Sequence, residues 1–336
     1  MRAVFGILVL FAISVQSDIV IRPSDHVLAG ANYETRRVAE FVHENDIDVK
    51  TDRPVKMYHI MHPGDVAIDA NFELDHWGVV DYKPVPKFSI DTHDPVLQDT
   101  FISGSVHSGK EPWDKFVWDA LVSVLLTKQD KEYVMVDVGA NLGYFSLAAA
   151  SLGARVIAFE PMSRNARKLS KSIQRNHFND AITLFQNAVW DNSPSFPVRL
   201  TPTSPSNQGN GQAVEDAVVG AAGLYGIDYV NTVSLSEVVH SDVDVMKIDT
   251  EGTEGAVIAG AKGLICDYRV KYILMEFTEI KTRTGRFSAP EMLLFLDSVG
   301  YTVSDVVAGS PVLNIADFQS FPPNILFTLE GESAKC

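Results

Sequence analysis

The chain has 336 residues, of which 46% are hydrophobic and 21% are charged. This length and balance are typical of a globular protein with a large core, and they exclude a chain that is mainly low-complexity. The formal net charge is -15, from 28 basic and 43 acidic residues. An acidic protein of this kind is not expected to bind nucleic acid. Its best basic stripe, Arg164 to Arg175, has helical spacing and is interpreted as a solvated helix face.

Residues 1–17 have the pattern of a secretory signal peptide. Arg2 precedes an apolar run of about thirteen residues, and Val15 and Ser17 occupy the small-residue positions of a cleavage site. The run is short for a bilayer span, which needs ~20 residues. We expect a protein of the secretory pathway lumen or a secreted protein, with no stable membrane span after cleavage. The alternative is a membrane anchor formed by an uncleaved signal, and a cytosolic location would follow if the signal does not function.

The chain contains two cysteines, Cys266 and Cys336. Cys266 ends an apolar helical run and is expected to be a buried structural thiol. Cys336 is the last residue, in a tail over 331–336 that we expect to be mobile. No disulfide framework is predicted.

Residues 18–110 are acidic and rich in Asp and Pro, which predicts an irregular N-terminal extension that packs on the domain that follows. Tyr33 to Val42 is a candidate short helix. The series His59, His62 and Asp65 has side chains of the metal-ligand type. Nothing in the local pattern makes these three side chains converge, so no metal site is predicted.

From residue 111 to 330, apolar runs of strand length alternate with helical patterns. Pro112 is at a position that proline favours at the start of a helix. The predicted strands are Val134–Val138, Val156–Glu160, Ile182–Gln186, Val243–Ile248 and Tyr272–Phe277. The predicted helices between and after them are Tyr144–Leu152, Ser163–His177, Glu254–Leu264 and Pro290–Val299. This alternation indicates an α/β domain with a doubly wound, mostly parallel sheet and helices on both faces.

Residues 201–226 interrupt the alternation. They are rich in Pro, Ser, Asn, Gly and Ala, and they are too many for a plain connection. We expect a loop insertion there, either a mobile lid over the carboxyl ends of the strands or a disordered surface loop.

A glycine-rich turn follows the first strand of this domain. Gly139 and Gly143 permit a tight turn that brings backbone N–H groups and a helix N-terminus to a ligand. Glu160 ends the second strand, where an acidic residue can accept hydrogen bonds from both hydroxyls of a ribose. Together these features predict a nucleoside site, and the alternative is a turn that merely needs glycines.

The turn differs from a dinucleotide fingerprint, because Asn141 stands where the middle glycine would be. Asp137 begins the turn, and a carboxylate suits a cationic ligand better than a pyrophosphate. S-adenosylmethionine carries an ammonium and a sulfonium and no phosphate. It is therefore the predicted cofactor.

Two longer blocks resemble a known family. Residues 136–146 (VDVGANLGYFS) with 156–161 (VIAFEP), and residues 246–254 (MKIDTEGTE) with 257–261, are similar to the FkbM-type methyltransferases. Weaker matches are 187–191 and 274–277. The family consists of class I S-adenosylmethionine-dependent enzymes, most of which methylate oxygen. The resemblance implies a seven-stranded Rossmann-like methyltransferase sheet whose last strands, near Tyr301–Val307 and Ile325–Leu329, form an antiparallel edge.

The predicted cofactor-binding residues are shared among three parts of the ligand. Asp137, Gly139, Asn141 and Gly143 are expected around the methionine moiety, and Glu160 at the ribose. Asn187 and Ala188 are placed against the adenine by the resemblance.

Acidic residues at the ends of the fourth and fifth strands are the candidate catalytic groups. They are Asp249, Glu251, Glu254 and Glu276. Asp249 is the first choice for a general base or orienting group, because methyl transfer to a hydroxyl needs its proton removed. Glu254 fits a helix-end charge equally well, and Glu276 could contact the acceptor or only a loop. His240 and His107 are alternative bases.

The predicted reaction is O-methylation of a hydroxyl on a carbohydrate or another small molecule, by direct displacement. The expected partner is such a small-molecule or glycan acceptor. One alternative is a methyltransferase fold that binds the cofactor without turnover. A dinucleotide-dependent oxidoreductase is a further alternative, which Asn141 disfavours.

Overall fold

A single large sheet organises the described part of the chain. This computed structural model describes residues 60–61, 75–127, 132–191, 197–204, 207–214, 228–282, 287–332, 334 and 336. The strands are β1 Ile60–Met61, β2 His76–Val80, β3 Phe88–Thr92, β4 Val134–Val138, β5 Arg155–Phe159, β6 Ile182–Phe185, β7 Ala188–Val189, β8 Pro197–Ser204, β9 Asn207–Val214, β10 Asp228–Val233, β11 Val243–Ile248, β12 Val270–Glu276, β13 Tyr301–Asp305 and β14 Asn324–Leu329. The α-helices are α1 Ile102–Ser108, α2 Lys115–Leu126, α3 Tyr144–Ser151, α4 Ser163–Arg175, α5 Leu235–Val238, α6 Glu254–Asp267 and α7 Ala289–Ser298.

The main sheet has the strand order β1-β6-β5-β4-β11-β12-β14-β13. Strands β6, β5, β4, β11 and β12 are parallel, and β14 is antiparallel to both of its neighbours. The predicted doubly wound, seven-stranded sheet is confirmed. The antiparallel strand lies next to the edge rather than at it, and β1 adds a short eighth strand antiparallel to β6. The chain reverses its direction of winding between β4 and β11, where ligands bind in sheets of this type.

Helices cover both faces of the sheet, because its central strands are apolar on both sides. All residues of β4 and β11 are buried. One hydrophobic cluster joins α2, α3 and α4 to the sheet, and a second joins α6 and α7 to the other face. Such double burial is what a parallel sheet requires.

The N-terminal extension is more regular than its composition predicts. Residues 75–110 contain the hairpin β2–β3 and helix α1. The hairpin packs on α4, where the backbone N–H of Asp91 donates to Ser172 Oγ at 2.8 Å and the Lys168 ammonium lies 3.4 Å from the Asp91 carboxylate. These contacts hold the hairpin against α4. Its two strands are more regular than the local sequence indicates, because each strand pairs with the other.

Of the remaining predictions in the N-terminal part of the chain, one helix begins at a different residue, and three segments lie outside the described residues. The helix expected from Pro112 begins instead at Lys115, because Asp114 is the N-cap and its carboxylate accepts from the Val117 N–H. The signal peptide, the candidate helix at 33–42 and the series His59, His62 and Asp65 lie outside the described residues.

The insertion expected as a loop over 201–226 contains strands. β8 and β9 form an antiparallel hairpin that joins β7 and β10 in a second sheet, in the order β7-β10-β8-β9. The pairing partner β10 lies beyond the insertion in sequence, which explains why local composition suggested a loop. Residues 215–227 lie outside the described residues.

The cysteines depart from their predicted states. Cys266 and Cys336 form a disulfide, and both residues are exposed. The expectation of a buried thiol on α6 and a mobile C-terminal residue was wrong, because the end of the chain returns to the end of α6. Among the described residues, no helix has the length and apolar character needed to cross a bilayer.

Breaking this disulfide should lower stability through the unfolded state. The bridge joins residues 70 positions apart, and closing a loop of that length is worth up to about 4 kcal/mol in chain-entropy terms. We expect Cys336→Ser to lower the midpoint of urea unfolding under oxidising conditions and to make stability insensitive to reductant. Ser320→Ala, at an exposed position, is the surface control and should leave the midpoint nearly unchanged. An unchanged midpoint in Cys336→Ser would contradict this expectation.

Candidate active site

A cleft lies at the carboxyl ends of β4, β5 and β11, beside the point where the winding reverses. The turn after each strand contributes to its floor, and the hairpin β8–β9 and the segment before α2 contribute to its walls. The lining residues of the described chain are Phe101, Ile102, Trp113, Val138, Gly139, Asn141, Phe159, Glu160, Pro161, Met162, Asn187, Ala188, Val189, Trp190, Leu200, Asn207, Gly211, Asp249, Thr250, Glu251 and Thr253.

The glycine turn forms part of the floor. Gly139 has a φ of +80°, and a Cβ there would stand 1.9 Å from the carbonyl oxygen of Asp249. No side chain fits at this position, so the turns after β4 and β11 approach each other at backbone distance. Asn141 has a φ of +53°, and its Oδ1 is buried without a hydrogen-bond partner. Asn141 is itself among the residues that line the cleft.

Glu160 lies where the sequence predicts a ribose contact. Its carboxylate accepts the backbone N–H of Asn141 at 2.7 Å and that of Met162 at 2.9 Å, and only 3% of the residue is exposed. Burial raises the pKa of Glu160 to about 7, against the lowering effect of those two hydrogen bonds. The carboxylate therefore titrates near neutral pH and is fixed in position.

Asn187 and Ala188 lie in the cleft next to Glu160, on the side where the resemblance places adenine. The Asn187 amide donates to the carbonyl of Asn231 at 3.0 Å. The hairpin closes this side, since a Cβ at Gly211 would come within 2.4 Å of Met162 Sδ.

Asp137 and Gly143 lie beneath the cleft and do not line it. Asp137 is fully buried and accepts a hydrogen bond from Ser146 Oγ at 2.5 Å. Gly143 begins α3, and a Cβ there would meet Leu169 of α4 at 2.1 Å. Their contacts support the turn and the packing of α3 on α4.

Three of the candidate catalytic carboxylates converge. Asp249, Glu251 and Glu276 each place one oxygen within 4.8 Å of the others, a spacing that could hold a metal ion. Asp249 and Glu251 line the cleft. Glu276 lies in a small adjoining cavity that shares Asp249. Burial raises the pKa of Glu276, and the nearby charges of Asp249 and Glu251 raise it further.

Glu254 does not line the cleft. Only 1% of Glu254 is exposed. Its Oε1 accepts hydrogen bonds from the backbone N–H and the hydroxyl of Thr250, both at 3.0 Å, and from the backbone N–H of Gly252 at 3.1 Å. These contacts hold the turn that carries Asp249 and Glu251, which favours the helix-end alternative for this residue.

The two histidines proposed as alternative bases also lie elsewhere. His107 Nε2 is 3.0 Å from Thr92 Oγ1, and His240 Nε2 is 3.1 Å from the carbonyl of Glu237. Neither residue is among those that line the cleft.

Lys247 is a site residue that sequence reasoning missed, although a lysine within the apolar strand β11 is itself a signal. Only 5% of it is exposed, and its ammonium lies 3.0 Å from Asp249 Oδ2 and 5.0 Å from the centroid of the Phe145 ring. Lys247 is the register partner of Asp137 on β4. Burial opposes the charged form, but Asp249 and Asp137 outweigh it and raise the pKa of Lys247.

The segment before α2 supplies an aromatic wall that no local pattern could reveal. Phe101 and Trp113 line the cleft and pack edge to face, with ring centroids 5.9 Å apart. The Trp113 N–H donates to the hydroxyl of Tyr144 at 3.2 Å, which fixes the segment to α3. Phe101 remains 44% exposed, so the wall has an accessible edge.

Residues 137–303 match a family described as the methyltransferase FkbM domain. The match contains the glycine turn, Glu160, Asn187 and the carboxylates of the cleft. Phe101, Ile102 and Trp113 precede it. No curated protein sequence matches the chain.

Solved methyltransferase structures are similar to the chain at low identity. An rRNA methylase from Streptococcus thermophilus is 15% identical with a TM-score of 0.37, covering 66% of this chain and 99% of that one. The magnesium protoporphyrin IX methyltransferase of Synechocystis PCC 6803, solved with bound S-adenosylmethionine, is 12% identical with a TM-score of 0.38, covering 69% and 86%. A protein described as a putative caffeoyl-CoA O-methyltransferase from Staphylococcus aureus is 9% identical with a TM-score of 0.36, covering 64% and 83%. Similarity at this level says nothing about the substrate.

Removing the buried ammonium should destabilise the fold. Lys247→Met leaves Asp137 in a dry site without its counter-charge, and breaking a buried pair in this way costs roughly 3–5 kcal/mol. We expect the free energy of unfolding in urea to fall by that order. Lys262→Met, at an exposed position, should change it by less than about 1 kcal/mol. Equal stability of the two variants would show that the Lys247 charge is not needed for folding.

Proposed function

The chain belongs to the FkbM family of S-adenosylmethionine-dependent methyltransferases through residues 137–303, and we propose that it transfers the methyl group to a hydroxyl of a carbohydrate or another small hydroxylated molecule. The observation that carries this proposal is the cleft in which Gly139, Glu160 and Asp249 meet. The residues proposed to bind the cofactor and the carboxylate proposed to act on the acceptor line the same cleft.

The residues present fit S-adenosylmethionine. Gly139 and Asn141 line the cleft, so a ligand there lies next to the backbone of the glycine turn. The Asn141 side chain carries a buried oxygen without a hydrogen-bond partner among the described residues. Glu160 Oε1 accepts from Met162 and Asn165, whereas Oε2 accepts only the Asn141 N–H. Oε2 therefore retains acceptor capacity for a ribose hydroxyl, since each carboxylate oxygen has about two lone-pair sites. Asp249 and Glu251 add negative potential, which suits a ligand with an ammonium and a sulfonium.

Bound S-adenosylmethionine would supply a methyl group on a positively charged sulfur and would leave as S-adenosylhomocysteine. The acceptor oxygen forms the new bond to the methyl carbon, while the electron pair of the broken carbon–sulfur bond stays on sulfur. We assign Asp249 the role of accepting the hydroxyl proton. The Lys247 ammonium donates a hydrogen bond to Asp249 Oδ2, and Asp249 Oδ1 accepts no hydrogen bond from the described residues. With 40% of its side chain exposed, Asp249 is accessible from the cleft.

Two kinds of wall in the cleft support the proposed acceptor class. Carboxylates at Asp249 and Glu251 suit hydroxyl donors, whereas Phe101 and Trp113 offer apolar ring surface. A sugar presents hydroxyls on its rim and C–H groups on its faces, so it matches both walls. This combination supports a hydroxylated ring over a purely charged acceptor.

We also propose a location in the secretory pathway. The signal-like residues 1–17 motivate it, and the exposed disulfide between Cys266 and Cys336 supports it. Disulfides persist in oxidising compartments and are rare in the cytosol. Expression of a chain tagged at the C-terminus, followed by fractionation and N-terminal sequencing, tests this proposal, and a reduced, uncleaved cytosolic product would contradict it.

Cofactor binding should depend on pH through Glu160. The hydrogen bond from a ribose hydroxyl is strongest to the carboxylate form of Glu160, whose pKa is about 7. The affinity for S-adenosylmethionine is therefore expected to fall about tenfold from pH 8 to pH 6, because the ionised fraction falls by that factor. Calorimetric titration of the full chain measures this change.

Two variants complete this titration. Glu160→Gln should weaken binding by roughly 10–100-fold, the worth of a hydrogen bond to a charged group, and should remove the pH dependence. Glu332→Gln, at an exposed position near the C-terminus, should bind as the wild type does. A folded wild-type chain that does not bind S-adenosylmethionine would refute the proposed function.

Loss of the proposed base should affect turnover rather than cofactor binding. With an acceptor found in a screen that begins with sugars, Asp249→Asn should lower kcat by roughly 100-fold or more, the usual contribution of general-base catalysis. Its dissociation constant for S-adenosylmethionine should rise by less than about tenfold, since the amide keeps the size of the side chain and the Glu251 carboxylate keeps its negative charge. The exposed Asp267→Asn serves as the control. An unchanged kcat would remove Asp249 from the mechanism.

A further inference from the structure

A buried chain of hydrogen bonds runs from the cleft to a histidine outside the family domain. Glu160 Oε1 lies 3.4 Å from Asn165 Nδ2, and Asn165 Oδ1 lies 2.8 Å from His93 Nε2. Asn165 and His93 are fully buried and Glu160 is nearly so. His93 directly follows β3, in the N-terminal segment that no part of the family match covers.

The neighbours of each atom decide where the protons are. In its carboxylate form Glu160 has no proton to donate, so its Oε1, which accepts the Met162 N–H, is an acceptor toward Asn165 as well. The amide nitrogen of Asn165 must therefore face Glu160, which leaves its oxygen facing His93. An oxygen cannot donate, so His93 Nε2 carries the proton and donates it to Asn165.

His93 is itself held by the turn that carries the aromatic wall. Its backbone N–H donates to Ser103 Oγ at 3.2 Å, and Ser103 Oγ donates to Asp99 Oδ2 at 2.6 Å. Asp99 Oδ1 also accepts the N–H of Phe101 at 2.9 Å. The same short segment thus fixes His93 and the ring that lines the cleft.

We propose that His93 is a positioning residue of the cofactor site: through Asn165 it holds the Glu160 carboxylate in the orientation that receives the ribose of S-adenosylmethionine. The inference rests on the proposed function. It gives residues 75–110 a defined task, which is to complete a site whose contact residues lie in the family domain.

Loss of the His93 donor should change the pH dependence of cofactor binding, which the loss of a merely structural contact would not do. Without that donor, the Asn165 amide loses its hydrogen bond to His93, which weakens the hold on its nitrogen toward Glu160. The hydrogen bond from Asn165 lowers the pKa of Glu160, so weakening it should move the pH midpoint of cofactor binding upward. General loosening of the fold would weaken binding without moving that midpoint.

The test is calorimetric titration of the full chain with S-adenosylmethionine between pH 6 and pH 9. His93→Phe keeps the ring size and removes the donor, and it should weaken binding about tenfold with a higher midpoint. His93→Gln retains an N–H donor and should recover most of the affinity. His107→Phe is the matched control, because His107 lies in the same segment and contacts Thr92 instead of Asn165. It should bind within about twofold of the wild type, as expected for a residue outside the site.

The other possible results of this titration distinguish a failure of the inference from a failure of the proposed function. Wild-type affinity and midpoint in His93→Phe would overturn the inference while leaving the proposed function intact. Equal losses in His93→Phe and His107→Phe, with no change of midpoint, would also overturn it, because the segment would then act only through stability. If thermal unfolding shows that His93→Phe is not folded, His93→Asn, which shortens the side chain and withdraws the donor, is subject to the same two criteria. A wild-type chain without affinity for the cofactor would refute the proposed function itself.

Discussion

The contact between Gly139 and the carbonyl of Asp249 sets the geometry of the whole site. The absence of a side chain at Gly139 lets the turns after β4 and β11 meet at backbone distance. The N–H groups of Gly139 and Ala140 both donate to the carbonyl of Phe159 at 2.9 Å, which ties the end of β5 to the same turn. Three strand ends are thereby held together. The carboxylates of Glu160, proposed for the ribose, and of Asp249 consequently belong to residues that line one cleft.

The charges beside this contact are arranged so that the buried ones compensate one another. Lys247 lies on a strand whose residues are all buried, between Asp137 on the neighbouring strand and Asp249 at the strand end. Moving an ammonium out of water is costly, and nearby carboxylates offset that cost only when they are close. A hydrophobic residue would fill the same position more simply. We therefore infer that the Lys247 ammonium fixes the orientation of the Asp249 carboxylate. It also places a positive charge beside the cluster of Asp249, Glu251 and Glu276, whose spacing could hold a metal ion.

The sequence predicts the central part of this structure well because its signals there are local. An apolar run, two glycines and a terminal acid specify β4, its turn and β5 within about one residue of their observed ends. Local sequence patterns do not predict the parts of the structure that depend on contacts between distant segments. β10, which lies beyond the insertion in sequence, pairs with β8, and β8 in turn pairs with β9. Cys266 bonds to Cys336 because the end of the chain returns to α6. No local pattern could place Phe101 in the cleft, whereas Lys247 stood out in its apolar strand and could have been included.

The distribution of burial separates two halves of the cleft. On the cofactor side, Glu160, Asn187 and Ala188 are almost fully buried and lie within the family domain. On the other side, Asp249 and Phe101 are partly exposed, and Phe101 comes from a segment that precedes that domain. A rigid, buried half suits a ligand that is the same for every member of a family. An accessible half built partly from additional segments suits a ligand that differs among them, so the aromatic wall is where we expect the choice of acceptor to be made.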